Sequence, residues 1–247
     1  INNDGLEDFF VGGAKGQASE IFFQRNIKGV YLFEKQVIKA LELDKDKEDT
    51  DAIFFDADSD GDQDLYVVSG GAQSKKGKSN QDRLYFNLGD GTFEKSEQLP
   101  KIEDNGSCVV AADFNGNGFK DLFIGSRSVY SKYGVSPDSY LLWNDGYGKF
   151  SIDVSEYSKA LKALGMVTDA VWNFKNKELI VVGEWMPISF LKFKTNRIEK
   201  KELKKSSGWW NTIYASDIDN DGDTDYLIGN AGENSDLKTS ENNPIQL

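Results

Sequence analysis

The chain has 247 residues, 38% hydrophobic and 13% aromatic, enough to bury a core and inconsistent with disorder. A net charge of −12 excludes the basic stripe that nucleic acid demands, and no apolar run approaches the roughly 18 residues of a membrane span. Histidine is absent, which removes the commonest general base, the usual zinc ligand and any Ser-His or Cys-His pair; carboxylates, Lys, Arg or Tyr remain as catalytic groups.

In chain order, Asn2-Asn3-Asp4-Gly5-Leu6-Glu7-Asp8 reads as the second half of a loop that later recurs whole. Asn26 and Gly29, between aromatic runs, predict a β-hairpin, since both residue types tolerate positive φ. The first full loop is Asp56-Ala57-Asp58-Ser59-Asp60-Gly61-Asp62-Gln63-Asp64, with strands predicted over 51–55 and 65–70 and a hairpin of 83–87 and 92–95 after it. Lys75, Lys76 and Lys78 read as a solvated loop, and Cys108, the sole cysteine, as a buried strand residue with no disulfide partner.

The second loop is Asp113-Phe114-Asn115-Gly116-Asn117-Gly118-Phe119-Lys120-Asp121, and a hairpin turning through Asn144 and Gly148 follows it. Residues 168–183 stand where another loop is due. Ala170, Trp172 and Phe174 occupy its ligand positions, so a plain hairpin turning at 175–177 is expected there. A further hairpin is read over 190–198, and Lys200, Lys201, Lys204 and Lys205 read as a solvated edge strand. Trp209 and Trp210 precede the innermost strand of the last unit. If extended, they point to opposite sides, one into the core and one near a surface; burial of both in a tight turn is the plainer reading, and a stacking platform for a sugar on one ring is the alternative. The third loop is Asp217-Ile218-Asp219-Asn220-Asp221-Gly222-Asp223-Thr224-Asp225.

In all three loops side-chain oxygens stand at positions 1, 3, 5 and 9, glycine takes the bend at 6, and position 7 offers its carbonyl. This is a donor set for a hard cation, and calcium fits it. One such cluster reads equally as a polar turn, but three with the same β-rich exit do not. An EF-hand would need glutamate at position 12, where Val67, Ile124 and Ile228 stand. The middle loop, with Asn115 and Asn117 in place of carboxylates, is expected to bind most weakly.

The loops begin at Asp56, Asp113 and Asp217, so the first spacing is about half the second, and Gly5 lies one such step before Gly61. Four-stranded units of about 50 residues repeated in tandem predict an all-β fold. It is a β-propeller of antiparallel blades, with each ion loop between the first and second strands. The units fall at about 1–50 (partial), 51–106, 107–166, 167–211 and 212–247 (partial), one propeller region of four to five visible blades. Since the first unit lacks its innermost strand and the last has two strands, a fragment of a larger ring of about seven blades is expected.

The pattern D-x-D-x-D-G-x-x-D-L-x-V, followed by the N-x-G-x-G-x-F hairpin, resembles the FG-GAP or VCBS repeats of integrin α-subunit propellers and their bacterial relatives. The resemblance implies calcium ligands at Asp56, Asp58, Asp60, Asp62 (carbonyl) and Asp64; at Asp113, Asn115, Asn117, Phe119 (carbonyl) and Asp121; and at Asp217, Asp219, Asp221, Asp223 (carbonyl) and Asp225. Asn2, Asp4, Leu6 (carbonyl) and Asp8 match a truncated fourth loop. The stretches around Trp185 and Trp209 look like those of bacterial surface proteins that pair such repeats with an ASPIC/UnbV module. Together these imply a secreted, cell-surface or periplasmic protein of a bacterial envelope. The function expected is a non-enzymatic calcium-binding module for a protein or carbohydrate partner. A polysaccharide-acting enzyme, or a domain of one, is the alternative, since some carbohydrate lyases resemble this architecture.

Overall fold

A computed structural model describes residues 1–71 and 80–232; the lysines at 75, 76 and 78 and residues 233–247 lie outside the described residues. The chain is all-β. Three strands, β1 (Phe9–Val11), β2 (Glu20–Ile27) and β3 (Val30–Gln36), form the first antiparallel sheet. Lys28 and Gly29, both at positive φ, make the two-residue turn between β2 and β3.

The second sheet runs β4 (Asp49–Phe55), β5 (Asp64–Ser69), β6 (Arg83–Asn87), β7 (Phe93–Lys95), and the third β8 (Asn105–Ala112), β9 (Asp121–Ser128), β10 (Tyr140–Asn144), β11 (Phe150–Ile152). Both are antiparallel with neighbours in chain order, the meander expected of a propeller blade. The fourth contains β12 (Met166–Asn173), β13 (Glu178–Met186), β14 (Ser189–Lys194) and β15 (Arg197–Glu202), followed by the hairpin of β16 (Gly208–Ser216) and β17 (Asp225–Asn230). That last hairpin is not separate: β13 runs on past its own blade and pairs with β16 at Glu184–Trp209 and Met186–Gly208. Lysines 200 and 201 lie exposed on the edge strand β15, as read.

Alternation along the strands puts apolar side chains on both faces of the inner sheets, so each pair of neighbouring sheets encloses a core. Ile21 and Phe23 meet Leu65, Val67 and Tyr85 between the first and second sheets, and Tyr66, Val68 and Leu84 meet Val109, Leu122 and Leu142 between the second and third. Cys108 is buried, with Phe123 and Leu141, against Val167, Val181 and Leu191 of the fourth. Ile180 and Val182 then meet Ile213 of the last hairpin. Among the described residues, the outer faces of the two end sheets have no such neighbour: Phe9 and Phe33 at one end, and Tyr214 and Leu227 at the other, are exposed.

The innermost strands are stitched by a repeated device. A bulge falls at the same place in β4, β8, β12 and β16. It turns one hydroxyl sideways toward the next sheet in each of the first three. Thr50 Oγ1 donates to the Gly106 carbonyl (3.1 Å), Ser107 Oγ to that of Val167 (2.7 Å), and Thr168 Oγ1 to that of Trp210 (2.9 Å). The residue after the bulge adds a second tie in two cases. Asp51 accepts from the Val109 N–H and Asp169 from the Ile213 N–H, both at 2.8 Å.

Candidate metal centre

Each acidic loop is bracketed by the first pair of a two-strand ladder: Phe55–Asp64, Ala112–Asp121 and Ser216–Asp225. The chain must reverse within eight residues, and does so by taking the left-handed conformation twice. Position 6 is glycine at φ +96°, +95° and +87° (Gly61, Gly118, Gly222), as the sequence leads one to expect. Position 4 is left-handed too, at Ser59, Gly116 and Asn220, and in the opening half-loop Asn3 and Gly5 repeat the pair. Asn, Gly and Ser at position 4 were the signal for this second bend.

Side-chain oxygens direct the turn. Asp56 accepts from the N–H groups of Ser59 and Gly61, Asp58 from Asp60, and Asp60 from Asp62. The same ladder recurs at Asp113, Asn115 and Asn117, whose last bond is from Phe119 N, and at Asp217, Asp219 and Asp221, ending at Asp223 N. In the opening half-loop Asn2 accepts from Asp4 N and Asp4 from Leu6 N. This ladder converges the odd-numbered side chains. Carboxylate oxygens of Asp56, Asp58 and Asp60 lie within 4.8 Å of one another, as do those of Asp217, Asp219 and Asp221. Three carboxylates so close, on a backbone that supplies further carbonyls, form an oxygen cluster able to hold a metal ion. In the middle loop Asn115 and Asn117 leave Asp113 alone at that end with a charge.

Position 9 also holds the backbone. Asp64 accepts from Ala57 N (2.8 Å) and Asn87 N (2.9 Å), and Asp121 from Phe114 N (3.2 Å) and Asn144 N (3.0 Å). Asp225 accepts from Ile218 N (2.9 Å), while Asp8 accepts from Gln24 N (2.9 Å) and pairs with the Ile1 nitrogen (3.0 Å). These carboxylates therefore close each loop and, in the first three units, tie it to the strand that pairs with its exit strand, β2, β6 and β10. Burial pushes the Asp64 and Asp121 carboxyls up to about 6, against the opposing pull of those N–H bonds. Burial, and then the adjacent Asp60 carboxylate, raises Asp58 as well.

The hairpin asparagines prove to be part of the same site. The Asn144 amide donates to the carbonyl of Lys120 in its own loop (3.1 Å) and to that of Ala57 in the preceding loop (2.8 Å). Asn87 does likewise with Gln63 (3.2 Å) and Ile1 (2.8 Å). The second glycine of each hairpin makes room for this docking. A Cβ on Gly91 would stand 2.4 Å from the Phe23 ring, and one on Gly148 2.4 Å from that of Phe86. Successive loops are thus latched through one amide. Asn144→Ala is expected to cost about 1–3 kcal/mol in urea unfolding, because it orphans two carbonyls. It is also expected to weaken metal binding at both flanking loops. A loss confined to the 113–121 loop would contradict the latch.

Where the fourth loop is due, the turn is a plain hairpin between Asn173 and Glu178, with Lys177 at φ +52°, as predicted. Trp209 and Trp210 lie inside β16 rather than before it. Trp210 packs beside the Ile180 cluster and donates to the Ser206 carbonyl (2.9 Å), whereas Trp209 faces Trp185, ring centroids 5.2 Å apart. Both are half-buried.

Stacked antiparallel sheets with acidic loops at one end of their strands define a propeller-like repeat protein. Residues 56–124, from the first full loop into the exit strand of the second, match the FG-GAP-like repeat family. No curated protein matches the sequence. Among solved structures 27 chains match. One is rhamnogalacturonan lyase YesW, at 15% identity and a TM-score of 0.44, over 86% of this chain and 48% of the lyase; the chain spans about half that protein's length.

Proposed function

We propose that this chain is a calcium-binding, non-enzymatic propeller module of the cell exterior, stiffened by its ions to present a surface to a protein or carbohydrate partner. The observation that carries the reading is the convergence of Asp56, Asp58 and Asp60, repeated at Asp217, Asp219 and Asp221. Oxygen-only donors favour calcium over softer metals, and an extracellular setting supplies the millimolar calcium that open loops need. Asp62, Phe119 and Asp223 would contribute carbonyls, and Asp64, Asp121 and Asp225 would support the ion from position 9. In the opening half-loop the corresponding groups are Asn2, Asp4, the Leu6 carbonyl and Asp8. Bound calcium, as the largest local charge, holds the loop carboxylates ionised and the turn closed.

Titration calorimetry tests it. Calcium is expected to fill two tighter sites and one weaker one. Asp60→Ala and Asp221→Ala should each abolish one tighter site, while Asn117→Ala alters only the weak site. Absence of calcium heat, or equal effects of the three substitutions, would overturn the assignment.

A further inference from the structure

The end of the sheets remote from the acidic loops carries a second cluster. It is built from the β9–β10 connection, the end of β13 and the start of β16, each of which meets its acidic loop or plain turn at the opposite strand end. Trp185 sits at φ +58°, on the bulge between Glu184 and Met186. A large side chain is held in the left-handed region only where surrounding contacts enforce it, and such strain gathers at binding sites. Here the bulge turns the Trp185 indole out of the sheet's alternation and onto Trp209, at an interplanar angle of 37°.

A polar relay fixes the pair. Trp185 Nε1–H donates to Tyr133 Oη (3.0 Å), Tyr133 O–H donates to Glu184 Oε2 (2.9 Å), and Arg127 pairs with Glu184 Oε1. Glu184 is 1% exposed, whereas the Arg127 side chain is 55% and Tyr133 58% exposed. The anchor of the relay is therefore buried, its donors Tyr133 and Arg127 are exposed, and the two indoles are half-buried. Trp210, next along the strand, packs against the Ile180 and Ile213 cluster and donates to the Ser206 carbonyl, so Trp209 is the member of the tandem left for a ligand.

We infer that Trp185 and Trp209, flanked by Tyr133 and Arg127, bind a neutral pyranoside of a glycan. This rests on the binding-module reading above and names its ligand class. Tilted indoles match the apolar C–H face of a pyranose, and the phenol and guanidinium beside them supply hydrogen-bond partners for its hydroxyls. Glu184 already neutralises Arg127, and a chain of net charge −12 repels acidic polysaccharide, which favours an uncharged sugar.

The test uses the whole chain in calcium. Cellohexaose, xylohexaose, mannohexaose and, as the acidic comparison, oligogalacturonate are titrated while tryptophan fluorescence is followed. At least one neutral oligosaccharide should bind and the acidic one should not. Trp209→Leu and Trp185→Gly should each weaken binding about tenfold or more. Trp185→Gly should leave the calcium-dependent gain in melting temperature intact, since the acidic loops lie at the opposite strand ends. Failure of every neutral sugar to bind, binding of oligogalacturonate alone, or unchanged affinity in both variants would overturn the inference. Because the calcium-dependent gain in melting temperature is read on the same samples, loss of sugar binding with that gain intact removes this site alone. Loss of the gain itself counts against the calcium reading.

Discussion

In millimolar calcium the protein is expected to melt about 10 °C or more above its temperature in EDTA. Without an ion, Asp56, Asp58 and Asp60 hold carboxylate oxygens within 4.8 Å of one another, and the third loop repeats the crowding in an exposed setting. Like charges at that separation repel, and the left-handed Ser59 and Asn220 add backbone strain in the first and third loops. An ion binding only the folded state at a hundred times its dissociation constant adds about 2.7 kcal/mol per site. Two sites give roughly 5 kcal/mol, and a chain of this size gains about 2–4 °C per kcal/mol. Scanning calorimetry in EDTA, calcium and magnesium measures it. An identical melting temperature in all three would remove the metal reading, and equal gains from calcium and magnesium would remove the preference for the larger ion.

Arg83→Met is expected to destabilise the fold by about 3–5 kcal/mol, the usual consequence of stranding one member of a buried ion pair. Arg83 pairs with Asp49 where the two side chains are 1% and 4% exposed, and its Nη2 also donates to Ser69 Oγ (3.1 Å). The same Asp49 accepts from Gly13 N (2.7 Å) and Ser19 Oγ (2.6 Å), so one carboxylate ties the β1–β2 connection to the second sheet. Methionine fills most of the arginine volume but leaves the Asp49 charge without a counterion. Asp49→Asn on that background keeps an acceptor for Gly13 and Ser19 while removing the charge. The double variant should therefore be more stable than Arg83→Met alone. Urea unfolding of the wild type, the two single variants and the double variant closes the cycle. A double variant no better than Arg83→Met would show that lost packing, rather than the stranded charge, sets the loss.

Spacing and residue type were sufficient, in the sequence alone, for the three loops, their glycine bends, the β-strands that leave them and the hairpins at Asn87 and Asn144. The strand read at 83–87 is β6 to the residue, and the plain turn at 175–177 is where Ala170, Trp172 and Phe174 implied it. These features are local: a turn within nine residues or a hairpin within a dozen is encoded by the φ tolerance and alternation of its own side chains. The repeat then carries them to an all-β stack of sheets, because a pattern with two apolar faces must bury both.

Tertiary structure decided what each repeated residue touches. Asn144 is read from sequence as a turn residue, yet its amide reaches Ala57 in the preceding unit. Asp64 is read as a ligand, and its two oxygens also accept backbone N–H groups that close the loop. Thr50, Ser107 and Thr168 carry no visible motif and become inter-sheet stitches once a bulge turns them sideways. Trp185 and Trp209 stand far enough apart in the chain that only the β13–β16 pairing places their rings together. Contacts between units depend on how one sheet is rotated against the next, and that rotation is set by the summed packing of every buried side chain between them. No short window of sequence contains that sum.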